Sequence, residues 1–283
     1  MILHYPLARM SVKTKQHDYP WMVNIYFHSE WHAMLMNKIR VFVRRHLSRE
    51  TRRRLARLAV WPPVGWVHFG DLRRLKPISS DYGSSRGLEI DRYYIEKFLA
   101  EYSDDVQGRV LEIKHNTYTK KYGRDRVTQS DVLHPVEGNL DATIVADLTK
   151  ADHLPSDNYD TIIFTQTLQV IYEIRTVIAT LHRMLKPGGV LLATVSGMAQ
   201  LSLDDFDHWG EYWRFTSLSA RLLFEEAFYV GNVTVQPYGN VLAAISFLEG
   251  LACDDLKRSE LDARDRRYEI LIAIRAVKSE NAQ

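Results

Sequence analysis

The sequence predicts an α/β protein, a mostly parallel sheet covered by helices on both faces. Three observations predict it. From Asp91 onward, short strand-length apolar runs alternate with segments of helical period. The runs are nearly continuously apolar, as strands buried on both faces are. Acidic residues close successive runs, at the strand ends where open α/β sheets bind ligands.

Taken in order, Tyr94, Ile95, Phe98 and Leu99 share one face of a helix that starts near Asp91. Arg109 to Ile113 reads as a buried strand, Val127 to Val132 as a second and Ala142 to Ala146 as a third. Tyr159 to Thr165, with Ile162, Ile163 and Phe164 at its centre, is the fourth. A helix is expected from Val170 to Leu185, its stripe formed by Ile171, Ile174, Ile178, Leu181 and Leu185. Lys186-Pro187-Gly188-Gly189 breaks it, because proline lacks an amide donor and glycine favours turns. Val190 to Val195 is a fifth strand and Ser217 to Ala227 a further helix. Asn232 to Pro237 and Tyr268 to Val277 are late strands.

The N-terminal part has a different character. Residues 1–80 carry 15 Lys/Arg against 4 Asp/Glu, a net of +11, whereas the remainder carries 22 against 31, a net of −9. Trp31, Met34, Leu35, Ile39, Phe42, Val43 and Leu47 fall at spacings of three and four, opposite Arg40, Arg44 and Arg45. They predict an amphipathic helix with a basic face, its charge continuing through Arg49, Arg52, Arg53, Arg54 and Arg57. It stops by Pro62-Pro63, and closely spaced glycines follow. Two modules are expected: a basic helical extension over 1–80 and an α/β domain over 81–283. The segment 31–57 suits an anionic membrane surface, a protein partner, or packing on its own domain.

Several classes are disfavoured. Cys253 is the only cysteine, so no intrachain disulfide or cysteine zinc site is available, and its reading is a small apolar filler. No apolar run approaches the ~18 residues of a membrane span. The first 20 residues do not read as a signal peptide, so a cytoplasmic setting is expected, with peripheral membrane attachment open. His28, Glu30 and His32 lack a zinc-protease spacing and an evident third ligand, so no metal is expected.

The chemistry is sought after each strand. Glu112 is followed by Lys114-His115-Asn116-Thr117-Tyr118. Asp131 is expected to end the second strand and Asp147-Leu148 the third. An acid ending a second strand can accept hydrogen bonds from both hydroxyls of a ribose, and one after a third strand can accept from an adenine amine. The bland reading makes both aspartates helix caps or turn residues. Gln166 follows the fourth strand and either meets a ligand or satisfies a loop backbone.

Leu111-Glu112-Ile113, Asp131, Ala146-Asp147-Leu148, Asn158-Tyr159-Asp160 and Leu185 to Val190 together resemble the motif series of class I S-adenosylmethionine-dependent methyltransferases. The segments Arg86 to Glu96 and Trp209 to Thr216 resemble a branch found beside glycosyltransferases in bacterial polysaccharide gene sets. The resemblance covers roughly 70–278. It implies a Rossmann-like sheet of seven strands with the last antiparallel, S-adenosylmethionine as cofactor, and methyl transfer. It assigns Glu112, Lys114, Asn116, Tyr118, Asp131, Asp147, Leu148 and Gln166 to the cofactor site.

One departure stands out. The superfamily's turn after the first strand is glycine-rich, because only glycine lets backbone approach the cofactor closely. Here Lys114, Asn116 and Tyr118 occupy those places, and Asn116 is the residue best able to keep a left-handed turn. Lys114 folds outward, pairs with the cofactor carboxylate, or blocks the pocket. Among acceptor-side candidates, His208 after the fifth strand is the general-base candidate, beside a bland reading as a surface histidine. Tyr212 and Arg214 are substrate candidates, Arg214 through a bidentate contact or, equally, through a pair with Glu211.

The acceptor expected is a sugar or another hydroxyl-bearing small molecule. Nucleobase amines are not expected, since Thr165-Gln166-Thr167 stands where amine-methylating nucleic-acid enzymes carry Asn/Asp-Pro-Pro-aromatic. The alternative is a catalytically silent subunit that docks a glycosyltransferase or a membrane through its basic helix.

Overall fold

The computed structural model describes residues 67–280, with isolated positions at 46–48, 50, 51 and 62. The expected basic helix over 31–57 lies, apart from those positions, outside the described residues, as does the triplet His28, Glu30 and His32. The chain divides into two compact units, Met1–Gly70 and Asp71–Gln283, and every strand among the described residues belongs to the second.

Seven strands form one sheet: β1 (Gly108–Ile113), β2 (Val127–His134), β3 (Ile144–Val145), β4 (Tyr159–Thr165), β5 (Leu185–Ser196), β6 (Val233–Tyr238) and β7 (Leu271–Val277). Their order is β3-β2-β1-β4-β5-β7-β6. The pairs from β3 to β5 are parallel, and β7 runs antiparallel to both neighbours. Strand order therefore reverses between β1 and β4. In open α/β sheets the ligand crevice lies at such a reversal, outside the carboxyl ends of the strands.

Successive side chains of a strand point to opposite faces, and the core follows that period of two. Leu111, Ile162, Phe164, Leu191, Ala193, Ile272 and Ile274 face one way. They pack on α2 (Ile174–Met184) and α4 (Ser217–Phe228) through Val177, Ile178, Leu181, Phe224 and Phe228. Val110, Ile163, Leu192, Leu271 and Ala273 face the other way. They meet α1 (Ile90–Glu101) and α5 (Val241–Leu248) through Tyr94, Phe98, Ala243 and Phe247. Two short helices, α3 (Leu203–His208) and α6 (Arg258–Asp262), complete the unit.

Four expectations are corrected. β2 runs on to His134, so Asp131 lies three residues inside it rather than at its end. Pairing carries it there, Leu133 lying opposite Ile144 and His134 opposite Val145. β3 shrinks to two residues at the sheet edge. The helix expected from Val170 begins at Ile174, after a single turn over Leu168–Val170. Lys186 to Gly189 stop the helix as expected, yet they lie inside β5: Leu185 pairs with Tyr159 and Val190 with Thr161, the ladder slipping between. A Cβ at Gly189 would meet the Lys186 oxygen at 2.8 Å and the Tyr159 oxygen at 3.0 Å, so only glycine passes there.

No helix among the described residues is long and apolar enough to cross a membrane.

Candidate functional site

The site is built from loops leaving the carboxyl ends of β1 to β5. Near the carboxyl end of β1, Glu112 is 4% exposed, and its carboxylate accepts three hydrogen bonds. Tyr118 N donates to Oε1 at 3.1 Å, while Thr119 N and Thr119 Oγ1 each donate to Oε2 at 2.7 Å. Burial raises the carboxyl pKa, and the bonds from Thr119 and Tyr118 oppose it. Glu112 thus anchors the turn from beneath rather than lying open to a ligand. Tyr118, also expected at the cofactor, is buried in the core with its hydroxyl accepting from Arg92 Nη1 at 2.9 Å.

The turn itself is exposed at Lys114, His115 and Thr117. Lys114, not Asn116, takes the left-handed conformation, with φ 71°. Its amide donates to the Leu133 oxygen at 3.0 Å and its oxygen accepts from Asn139 Nδ2 at 2.6 Å, and these bonds hold it there. The residue is exposed, so its side chain does not fill a buried pocket. A non-glycine residue in this region costs about 1–2 kcal/mol, partly offset by the backbone entropy glycine loses on folding, about 0.5–1 kcal/mol. Lys114→Gly should therefore stabilise the fold by about 0.5 kcal/mol and raise the melting temperature by roughly 1–2 °C. A lower melting temperature in calorimetry would show that the lysine side chain itself stabilises the turn.

Asp131 departs most from expectation. Its Oδ2 accepts from Arg109 Nε at 2.8 Å, and Arg109 Nη1 donates to Asn158 Oδ1 at 2.9 Å. The Arg109 guanidinium also lies 5.1 Å from the Tyr159 ring centroid. Arg109 and Tyr159 stand near the amino ends of β1 and β4, so this pair braces the sheet on the side away from the crevice. The side chain that does close β2 at the carboxyl edge is His134, its ring edge-on to Trp209 at 6.3 Å. The apolar pattern does not mark it, although the following Pro135 is an available signal: proline cannot donate to a ladder and ends the strand.

Beyond β3, Asp147 caps the turn Leu148–Lys150, accepting from Thr149 N at 2.9 Å and Thr149 Oγ1 at 2.7 Å. Those bonds lower its pKa, so the exposed carboxylate is ionised at neutral pH. Leu148 is buried beside it. Beyond β4, Gln166 is the second non-glycine residue held left-handed at the crevice, with φ 47°, its amide donating to the Thr194 oxygen at 2.9 Å. Lys114, Asn116, Asp147, Leu148 and Gln166 are therefore all on the carboxyl edge, and Glu112 lies just beneath it. Asp131 is not.

The loop after β5 revises the acceptor-side expectations. Arg214 pairs with Glu211 at 2.7 Å and donates to the Gln200 oxygen at 2.9 Å, while Glu211 accepts from Ser202 N. Arg214 therefore braces its own loop, the bland alternative. His208 is two-thirds exposed and its Nδ1 lies 2.7 Å from the Asp204 oxygen. The Asp204 backbone oxygen and carboxylate raise its pKa. Its exposure and its bond to its own helix fit the bland reading of a surface histidine. Tyr212 stays at the edge, half exposed, its ring edge-on to Tyr172 at 5.4 Å. Among the described residues, no cluster of His, Cys, Asp and Glu could hold a metal ion.

Residues 95–193, from α1 into β5, match the family described as methyltransferase domain. Three solved structures are similar in shape. A SAM-dependent methyltransferase from Archaeoglobus fulgidus is 13% identical, with 66% of this chain and 94% of that one covered and a TM-score of 0.44. An S-adenosylmethionine-dependent methyltransferase from Mesorhizobium loti is 18% identical, with 67% and 98% covered and a TM-score of 0.46. Phosphoethanolamine N-methyltransferase 2 of Haemonchus contortus, solved with S-adenosyl-L-methionine, is 13% identical, with 65% and 52% covered and a TM-score of 0.44. No curated protein matches the chain significantly.

Proposed function

We propose that this chain is an S-adenosylmethionine-dependent methyltransferase that O-methylates a sugar or another hydroxyl-bearing small molecule, as in polysaccharide biosynthesis. The observation that carries the reading is the strain at the crevice. Lys114 and Gln166, at the ends of the adjacent central strands β1 and β4, are both held left-handed. Such conformations persist where surrounding structure over-determines them, and they cluster at ligand sites.

The residues present fit the cofactor. The exposed turn Lys114 to Thr117 and Gln166 would hold its methionine end, with Glu112 fixing that turn from below. The ionised Asp147 and the neighbouring Leu148 would hold the adenine end, and His134 stands between at the end of β2. When bound, S-adenosylmethionine would supply a methyl group on a sulfonium centre to an acceptor oxygen, with a neutral thioether as the leaving group and water as the sink for the hydroxyl proton. With so good a leaving group, the chain's contribution is alignment.

S-adenosylhomocysteine at about 100 times its Kd should add about 2.7 kcal/mol to stability and raise the melting temperature by roughly 5–10 °C. A flat thermal-shift response at ~1 mM, with no heat in titration calorimetry, would remove the enzyme reading. It would leave the second, a silent subunit docking a glycosyltransferase or an anionic membrane through residues 31–57. Lys114 at a glycine position is the feature favouring that second reading.

A further inference from the structure

Gln169, in the turn after β4, is 7% exposed, and its Oε1 is buried with no hydrogen-bond partner among the described residues. Its orientation is not free. Nε2 donates to Gln166 Oε1 at 2.7 Å and to the Gln166 oxygen at 3.1 Å, so exchanging N and O would press Oε1 against two acceptors. The main chain is pinned as well, its oxygen accepting from Tyr212 N at 2.8 Å and Trp213 N at 3.3 Å. An acceptor stranded in this way costs about 1–3 kcal/mol, and folded proteins keep few of them. The atom calls for a donor that the described residues do not supply.

The surroundings decide which donor fits. The amide is neutral, so it selects an N–H or O–H rather than a charge. Its partner Gln166 is the strained residue closing β4 at the crevice. Beside the same turn stand Tyr172, 61% exposed, and Tyr212, 51% exposed, which meet at an interplanar angle of 74° and form an open aromatic corner. Aromatic faces of that kind bury the apolar face of a ring while leaving its polar substituents to hydrogen-bond.

We propose that Gln169 is the polar specificity determinant of the methyl-acceptor subsite, and that with Tyr172 and Tyr212 it recognises a neutral ring carrying a hydroxyl group. The proposal rests on the methyltransferase reading of the same crevice. A pyranose and a phenol share this chemistry, since each offers an O–H donor beside a stackable face.

The test uses the full chain saturated with S-adenosylhomocysteine and three probes: methyl β-D-glucopyranoside, methyl α-D-mannopyranoside and catechol. Saturation-transfer NMR and calorimetry read binding of each, the glycosides and the phenol distinguishing the two sources. At least one probe should bind. Gln169→Leu should weaken that binding at least tenfold and Tyr212→Ala several-fold, the Tyr212 variant leaving S-adenosylhomocysteine affinity within twofold. Tyr212 is half exposed, so its variant stays informative even if Gln169→Leu fails to fold. Normal S-adenosylhomocysteine binding with no response to any probe overturns the subsite while sparing the cofactor reading. Unchanged probe binding in Gln169→Leu also overturns it, and leaves an internal water as the partner of Oε1. Loss of S-adenosylhomocysteine binding in the unaltered protein removes both.

Discussion

Glu112→Ala is expected to cost about 3–5 kcal/mol of stability, lower the melting temperature by roughly 10 °C, and weaken S-adenosylhomocysteine binding at least tenfold. The carboxylate accepts from two main-chain amides and from the hydroxyl of Thr119, itself 1% exposed. Alanine leaves all three donors buried without an acceptor. Bonds to a charged acceptor are worth more than neutral ones, and each stranded donor adds its own desolvation cost. Glu112→Gln should lose less, because one oxygen remains to accept, although its new N–H₂ faces donors. Chemical denaturation of the three proteins gives the comparison. An alanine variant melting within 2 °C of the unaltered chain would show that the turn after β1 stands without its carboxylate.

The second large effect runs against the ribose assignment. Asp131→Ala should destabilise the protein by about 2–3 kcal/mol, some 4–10 °C in melting temperature, and leave S-adenosylhomocysteine affinity within twofold. The Asp131 side chain is 9% exposed and that of its partner Arg109 30%, so losing the carboxylate leaves a half-buried guanidinium with only Asn158 and the Tyr159 ring. Solvent reaches the arginine, which keeps the cost below that of a fully buried pair. The outcome that would restore Asp131 to the ribose is the reverse: an unchanged melting temperature with a tenfold loss of affinity.

The central strands were legible because burial on both faces leaves an apolar run, as at Ile162, Ile163 and Phe164, that no surface element carries. The seven-strand order came from resemblance rather than from periodicity. What periodicity could not supply was register. Whether β2 ends at Asp131 or at His134 is decided by pairing with Ile144 and Val145, residues ten or more positions away. The helix α5, Val-Leu-Ala-Ala-Ile-Ser-Phe-Leu, is hidden for another reason. It is apolar all round, with Ala243, Ala244 and Phe247 buried while Val241, Leu242, Ile245 and Leu248 stay exposed, so no stripe marks it. Within the site, the acids were readable as strand-end residues, but their partners were not. Glu112 turned inward to cap a turn, Asp131 met an arginine, and the stranded oxygen of Gln169 exists only by virtue of packing.

The position of β7 has a consequence for how the protein is made. Residues 271–277 insert between β5 and β6, although both neighbours are synthesised first. Until that stretch leaves the ribosome, the Val190–Ser196 edge has no partner and β6 has no place in the sheet. Two strand edges, one of them nearly all apolar, must wait together in the nascent chain, and exposed edges of that kind invite pairing with other molecules. The sheet therefore closes late and in one step, so a chain truncated before residue 271 should be recognised by chaperones and the full 283-residue chain should not.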